Sequence, residues 1–174
     1  MGAKISNHNG KLLREKPVEC GCNCQQPVEC PMPGKCTTDK LVYRASITAN
    51  NKVETYVGLT AGTFKKRYGS HKHDFLNRPT ENRTSTTLSS YIWKLKDDNK
   101  AYQVEFDIVK RAAPFSPVSG TCNLCTEKKF ETMFKSQTAI LNFRQEMFAV
   151  CKHKLAALIV KKKQKIKMSW VADL

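Results

Sequence analysis

The chain has 174 residues, 40% hydrophobic and 26% charged, which suits one modest domain with short appendages and is too apolar for a disordered chain. No apolar run reaches half of the ~20 residues a membrane span needs, and the stretch from Met1 to Lys16 lacks the hydrophobic segment of a secretory signal. Lys and Arg number 30 against 15 Asp and Glu, a net charge of +15 that points to a polyanionic partner, nucleic acid first among them.

Residues 1–40 form a cysteine-rich segment. Five of the eight cysteines and four of the seven prolines fall in 17–40, with neither helical nor alternating hydrophobic periodicity. Such a stretch cannot fold on apolar burial and needs a staple. Without a secretory signal the compartment is expected to be reducing, so closely spaced thiols read as Zn²⁺ ligands, with a disulfide framework or a loose thiol arm as the alternatives. The predicted ligands are Cys22, Cys24, Cys30 and Cys36; Cys20 is left out because it makes the set odd.

The folded unit is expected over 41–153. Leu41–Ala49 and Val53–Thr60 are rich in β-branched and aromatic residues and flank Asn50-Asn51, which predicts a β-hairpin. Thr63 can cap a helix running to about Leu76, with Phe64, Tyr68, His71 and Phe75 on one face. A loop over 77–87 leads to a short helix at Leu88–Lys96, and Tyr102–Lys110 alternates as a third strand. A loop over 112–121 precedes helices at Cys125–Lys135 and Phe143–Cys151. The fold class is α+β: a small three-stranded mixed antiparallel sheet flanked by helices. Residues 154–174 form a basic tail, whose KKKQKIK run fits either a solvated end or nuclear import and nucleic-acid contact.

Two constellations carry chemistry in the folded unit. Cys122 and Cys125 on a loop entering a helix, with Cys151 and His153 beyond, offer four soft ligands to a second structural Zn²⁺; the alternative is two buried cysteines and a surface histidine. The other set is Tyr43, Tyr56, Arg67, His71, Glu127 and Asn142. Converging phenols, a guanidinium, an imidazole and a carboxylate suit phosphodiester hydrolysis: the carboxylate holds a divalent cation, cation and arginine neutralise the charge developing on phosphorus, and a phenol or imidazole takes a proton from water. Taken singly, each also reads as an ordinary sheet residue or solvated charge.

Leu41-Val42-Tyr43 followed by Tyr56-Val57-Gly58 resembles the paired strand motifs of the GIY-YIG nuclease superfamily, and Thr63–Arg67, His71, Glu127 and Asn142 follow in that superfamily's order. The CPMPGKC stretch, Leu88–Trp93, Cys122-Asn123-Leu124-Cys125, Leu141-Asn142 and Cys151-Lys152-His153 are similar to the endonuclease domain of Penelope-like retroelements. The resemblance implies a GIY-YIG-like fold and a metal-dependent endonuclease that nicks DNA in the nucleus during target-primed insertion, beside a reverse transcriptase from the same or a related element. It implies that Tyr43 helps deprotonate water, Tyr56 positions groups around it, Arg67 binds the scissile phosphate, His71 assists, and Glu127 ligates one Mg²⁺ or Mn²⁺. Lys65, Lys66, Lys72, Lys161, Lys162 and Lys163 are the expected DNA contacts. Leu41 stands where the superfamily has glycine, which predicts hindered approach of DNA near Tyr43. The alternative function is a non-catalytic, zinc-stabilised DNA- or RNA-binding module.

Overall fold

The computed structural model describes residues 22–24, 27–78, 86–135, 140–142, 145–157 and 159. Cys20, most of the 77–87 loop, the tail lysines Lys161, Lys162 and Lys163, and Trp170 lie outside the described residues. Strand β1 (Asp39–Ala49) turns through Asn50 and Asn51 into β2 (Lys52–Thr63). Both asparagines adopt positive φ, 49° and 61°, the left-handed geometry a two-residue hairpin turn demands and Asn tolerates. Helices α1 (Phe64–Leu76) and α2 (Thr87–Asp97) follow, then β3 (Tyr102–Arg111), α3 (Asn123–Phe134) and the single turn α4 (Gln145–Phe148).

The sheet has three strands in the order β2-β1-β3, and both pairings are antiparallel, so it is not mixed. The two-helix crossover brings β3 back against the free edge of β1 with its direction reversed. Alternation along β1 sorts the two faces. Leu41, Tyr43, Ala45, Ile47 and Ala49 are buried with Phe64 and His71 of α1, Leu88, Ile92 and Leu95 of α2, and Phe106 of β3. On the other face Val42 and Val57 pack with Leu124 of α3. Helix α2 opens on a capping box between Thr86 and Ser89, which satisfies amides its first turn would leave bare.

The described part of the cysteine-rich segment packs into the core of the domain. Cys30, Met32 and Cys36 belong to the same core as Tyr43 and Phe64. Its backbone also caps α1: Phe64 N donates to Thr38 O at 2.8 Å and Lys65 N to Cys36 O at 2.6 Å, while Lys66 N donates to the Thr63 side chain. The segment and the helix carrying Arg67 and His71 therefore share one foundation.

Of the helix expected over 143–151, the described residues hold only α4, and residues 143 and 144 lie outside them. Residues 149–151 are non-helical and a new helical stretch occupies 152–157. The break lets Cys151 and His153 both turn toward α3, which one continuous helix could not do with residues two apart. Among the described residues no helix is long and apolar enough to cross a membrane.

Candidate functional site

Two ligand clusters assemble: Cys22, Cys24, Cys30 and Cys36, and Cys122, Cys125, Cys151 and His153. In each, all four ligand atoms lie within 4.8 Å of one another. In the first set Cys22 Sγ is 3.2 Å from both Cys30 Sγ and Cys36 Sγ, and Cys24 Sγ is 3.6 Å from Cys36 Sγ. In the second, Cys125 Sγ is 3.4 Å from Cys151 Sγ and 3.3 Å from His153 Nδ1, and Cys122 Sγ is 3.6 Å from the same nitrogen. These separations far exceed the ~2.05 Å of a disulfide. They approach the ~3.8 Å edge of a tetrahedron with ~2.3 Å zinc–sulfur bonds.

Local sequence explains the convergence. Gly34, at φ 71°, folds CPMPGKC back so that Cys30 and Cys36 face each other. Cys122 is the N-cap of α3 and Cys125 lies one turn on, so the pair projects from one helix end. Burial and the neighbouring thiols push Cys36 up to about 12 and Cys125 likewise, while the hydrogen bond from Cys30 draws Cys22 down to about 6. Crowded sulfurs cannot all ionise without a cation among them, and Zn²⁺ meets that requirement. Either cluster can hold a zinc ion.

Tyr43, Tyr56, Arg67 and His71 come together. Tyr43 Oη lies 2.7 Å from His71 Nε2 and accepts a 3.1 Å hydrogen bond from Arg67 Nε. Tyr56 lies close enough to Arg67 for the two to interact electrostatically. The Tyr43 ring is fully buried, edge-on to Phe64 and His71 at centroid distances of 5.2 and 5.9 Å. Burial raises both phenols; Arg67 opposes this at Tyr43, and the Tyr43 and Glu146 charges add to it at Tyr56. Burial, then the Arg67 charge, lowers His71 to about 3 and keeps it neutral. Its Nδ1 is buried without a hydrogen-bond partner among the described residues.

A pocket of about 330 Å³ opens beside this cluster at the β2 edge, lined by Tyr56, Arg67, Lys128, Lys129, Glu146 and Lys152 among others. Cys125, Cys151 and His153 form part of the same lining, so the second ligand cluster borders the pocket. Tyr43 is absent from the lining; it supports Arg67 from behind, and Tyr56 is the phenol that faces the space.

Glu127 does not join this group. Its Oε1 pairs with Lys110 Nζ at 2.7 Å, and Lys110 stands opposite Val42 in the ladder, on the sheet face away from Tyr43. The register of α3 decides this: Cys122 and Cys125 must face the other ligands and Leu124 must enter the core, which leaves Glu127 on the β3 flank and carries Lys128 toward the pocket. The pocket acid is Glu146. Its Oε2 accepts from Lys128 Nζ and from Asn142 Nδ2 at 3.1 Å, and its Oε1 from Thr87 Oγ1 at 3.3 Å. Asn142 sits where expected but acts on the backbone: its Oδ1 accepts from Val57 N at 2.7 Å and its Nδ2 donates to Val57 O at 2.9 Å. Together with the bond from Leu141 N to Thr55 O, this covers the outer edge of β2.

Sequence reading missed Glu146, Lys128, Lys129 and Lys152. The available signals were the four-residue spacing from Asn142 to Glu146 and the position of Lys152 between two ligands. Lys66 and Lys72 are exposed on α1 but line no part of the pocket, and Lys65 Nζ is held by Asn23 O and Oδ1 at 3.1 and 2.9 Å. Leu41 is wholly buried in the core and does not line the pocket. No protein-family model, no curated protein and no solved structure matches the chain.

Proposed function

We propose that the chain is a metal-dependent DNA endonuclease of GIY-YIG type, similar to the endonuclease domain of Penelope-like retroelements, and that it nicks DNA for insertion of such an element in the nucleus. The observation that carries this reading is the hydrogen bond that holds Arg67 Nε on Tyr43 while Arg67, Tyr56 and Glu146 line one pocket. The ligand of Mg²⁺ or Mn²⁺ is then Glu146 in place of Glu127. A cation held there would supply charge neutralisation at phosphorus and would acidify water.

The chain's own residues do the rest. Arg67, oriented through Nε by Tyr43, binds the scissile phosphate and stabilises the charge that grows on it. Tyr56, at the pocket surface, orients the attacking water. Neutral His71 accepts the Tyr43 O–H hydrogen bond at Nε2 and so fixes the phenol that holds Arg67. Lys129 and Lys152 meet neighbouring backbone phosphates. The Zn²⁺ ions are structural and distinct from the catalytic ion, since thiolates select the softer metal and the carboxylate the harder one.

The test is nicking of supercoiled plasmid with Mg²⁺ or Mn²⁺. Arg67→Ala and Glu146→Gln are expected to lose about 100-fold or more, the scale of removing one transition-state contact or metal ligand. Glu127→Gln is expected to stay within about two-fold, as for a surface ion pair remote from the reacting atoms. Wild-type protein that binds DNA firmly and never nicks it would overturn this reading in favour of a zinc-stabilised DNA- or RNA-binding module.

A further inference from the structure

The charge around the pocket is lopsided. Glu146 is the sole carboxylate among the lining residues, and Lys128 already neutralises it. Asn142 and Thr87 donate to it as well, and Asn142 is itself pinned to the Val57 backbone. That leaves Arg67, Lys129 and Lys152, three lining cations with no carboxylate partner among the described residues. Arg67 is the fixed one, held through Nε by Tyr43. Such a lining selects an anion of more than one charge. A phosphodiester carries a single negative charge, whereas a phosphate monoester carries ~1.5–2 at neutral pH and offers three acceptor oxygens.

A second feature points to a nucleotide rather than to bare phosphate. Phe148 stands in α4 between the lining residues Glu146 and Ala149, and it is 85% exposed. An aromatic ring held in water beside a cationic pocket is an arrangement on which an unpaired base stacks. We infer that the pocket receives a strand end bearing a phosphate monoester: Arg67, Lys129 and Lys152 hold the phosphate, and Phe148 takes the terminal base. This rests on the nuclease reading for the origin of such ends, but the binding itself is measurable without cutting. Hydrolysis bonds a water oxygen to phosphorus and breaks one ester P–O bond; one water proton goes to the departing oxygen and the other to solvent. The new end therefore carries more negative charge than the intact backbone had there. Lys129 and Lys152, which meet neighbouring phosphates on the intact strand, close on that end, and the protein stays on the nick it makes.

The test is fluorescence anisotropy of internally labelled, short single-stranded DNA oligonucleotides on the full-length, zinc-loaded protein, with no divalent cation added. The oligonucleotides carry a 5′-phosphate, a 3′-phosphate or hydroxyls at both ends. One phosphorylated end is expected to bind about ten-fold tighter than the hydroxyl form, the scale of one added charge-assisted hydrogen bond. Lys129→Met combined with Lys152→Met is expected to shrink that preference to about two-fold or less. Lys100→Met, at a lysine paired with Asp98 and outside the pocket lining, should leave it unchanged. Phe148→Ser is expected to weaken the phosphorylated strand about five-fold, the lower end for losing one stacked base. Inorganic phosphate should displace that strand only at about five-fold higher concentration or more than the matching mononucleotide.

Equal affinity for phosphorylated and hydroxyl ends, a preference that survives the loss of both lysines, or inorganic phosphate competing as well as the mononucleotide would overturn the inference. Any of these alongside intact plasmid nicking removes the end site and spares the nuclease reading. A clear preference for phosphorylated ends in a protein that never nicks does the reverse.

Discussion

Gly58 and Tyr43 stand opposite each other in the β1–β2 ladder, and the Tyr43 ring fills the space that any side chain on Gly58 would occupy. A Cβ there would lie 2.7 Å from Cε2 of Tyr43 and closer still to Cζ and the hydroxyl. The ring is walled in by Phe64, His71 and Phe106, so it has nowhere to retreat. Gly58→Ala is expected to cost about 1–3 kcal/mol, the range for overpacking a core, and to dislodge the hydroxyl that orients Arg67. Gly62, near the exposed end of β2 with only Thr60 Oγ1 at 4.0 Å, is the control, and Gly62→Ala is expected to stay within about 0.5 kcal/mol. Urea unfolding and plasmid nicking of the two variants check this.

His71 makes stability depend on pH in a definite direction. Its folded-state value is lowered to about 3, from 6.5 for the free side chain. Above about pH 6.5 the imidazole is neutral both folded and unfolded and contributes no slope. As pH falls below that, the unfolded chain takes up a proton that the buried ring refuses, so stability is lost progressively down to about pH 3. The slope from this one group is at most about 1.4 kcal/mol per pH unit. Urea unfolding of wild type and His71→Gln between about pH 7 and pH 5 should show the variant falling less steeply; parallel curves would contradict a neutral His71. The nicking rate should correspondingly show no ionisation near 6.5 that disappears in His71→Gln.

The two ligand clusters should separate in their effects. Elemental analysis is expected to find two zinc ions per chain, and one each in Cys36→Ser and Cys151→Ser. Cys36 is fully buried and its carbonyl caps α1, so Cys36→Ser should lose helical signal and fold cooperativity. A structural zinc supplies about 10–16 kcal/mol of apparent binding energy, more than a domain of this size can spare. Cys151→Ser should leave the sheet and α1 folded but disorganise the wall that carries Glu146 and Lys152, with nicking lost and circular dichroism largely kept. Mild chelation that removes only Mg²⁺ should stop nicking with the fold intact.

Asn142 is expected to matter through the backbone. Asn142→Leu leaves Val57 N and O at the β2 edge without partners and takes a donor from Glu146. Its cost should be about 1–3 kcal/mol, that of stranding covered polar groups. Asn142→Asp should be no better, since a carboxylate can still accept from Val57 N but opposes both Val57 O and Glu146. Denaturant midpoints of the two variants decide.

The sheet, its hairpin turn and the helix faces were readable because each is a local pattern: alternation in β1, the Asn50-Asn51 pair, and the spacing of Phe64, His71 and Phe75. Both ligand quartets were readable because thiols at short spacings leave few other assignments. The acid of the pocket was not. Glu127 and Glu146 are equivalent as residue types, and choosing between them needs the rotation of α3, which Leu124 and the Cys122–Cys125 pair impose only after packing. The break after Phe148 was hidden for a similar reason, since helical periodicity continues through 143–151 while the ligand geometry at Cys151 and His153 overrides it.

The docking of the cysteine-rich segment onto α1 has a practical consequence for anyone shortening this chain. A version trimmed to start at Leu41, the first residue of an obvious strand, would discard Cys30, Met32 and Cys36 from the interior and strip Phe64 N and Lys65 N of their acceptors. Such a fragment would begin with a wet hole where its foundation belongs, and its failure to express would say nothing about the function of the longer chain. The shortest sensible boundary lies ahead of Cys22.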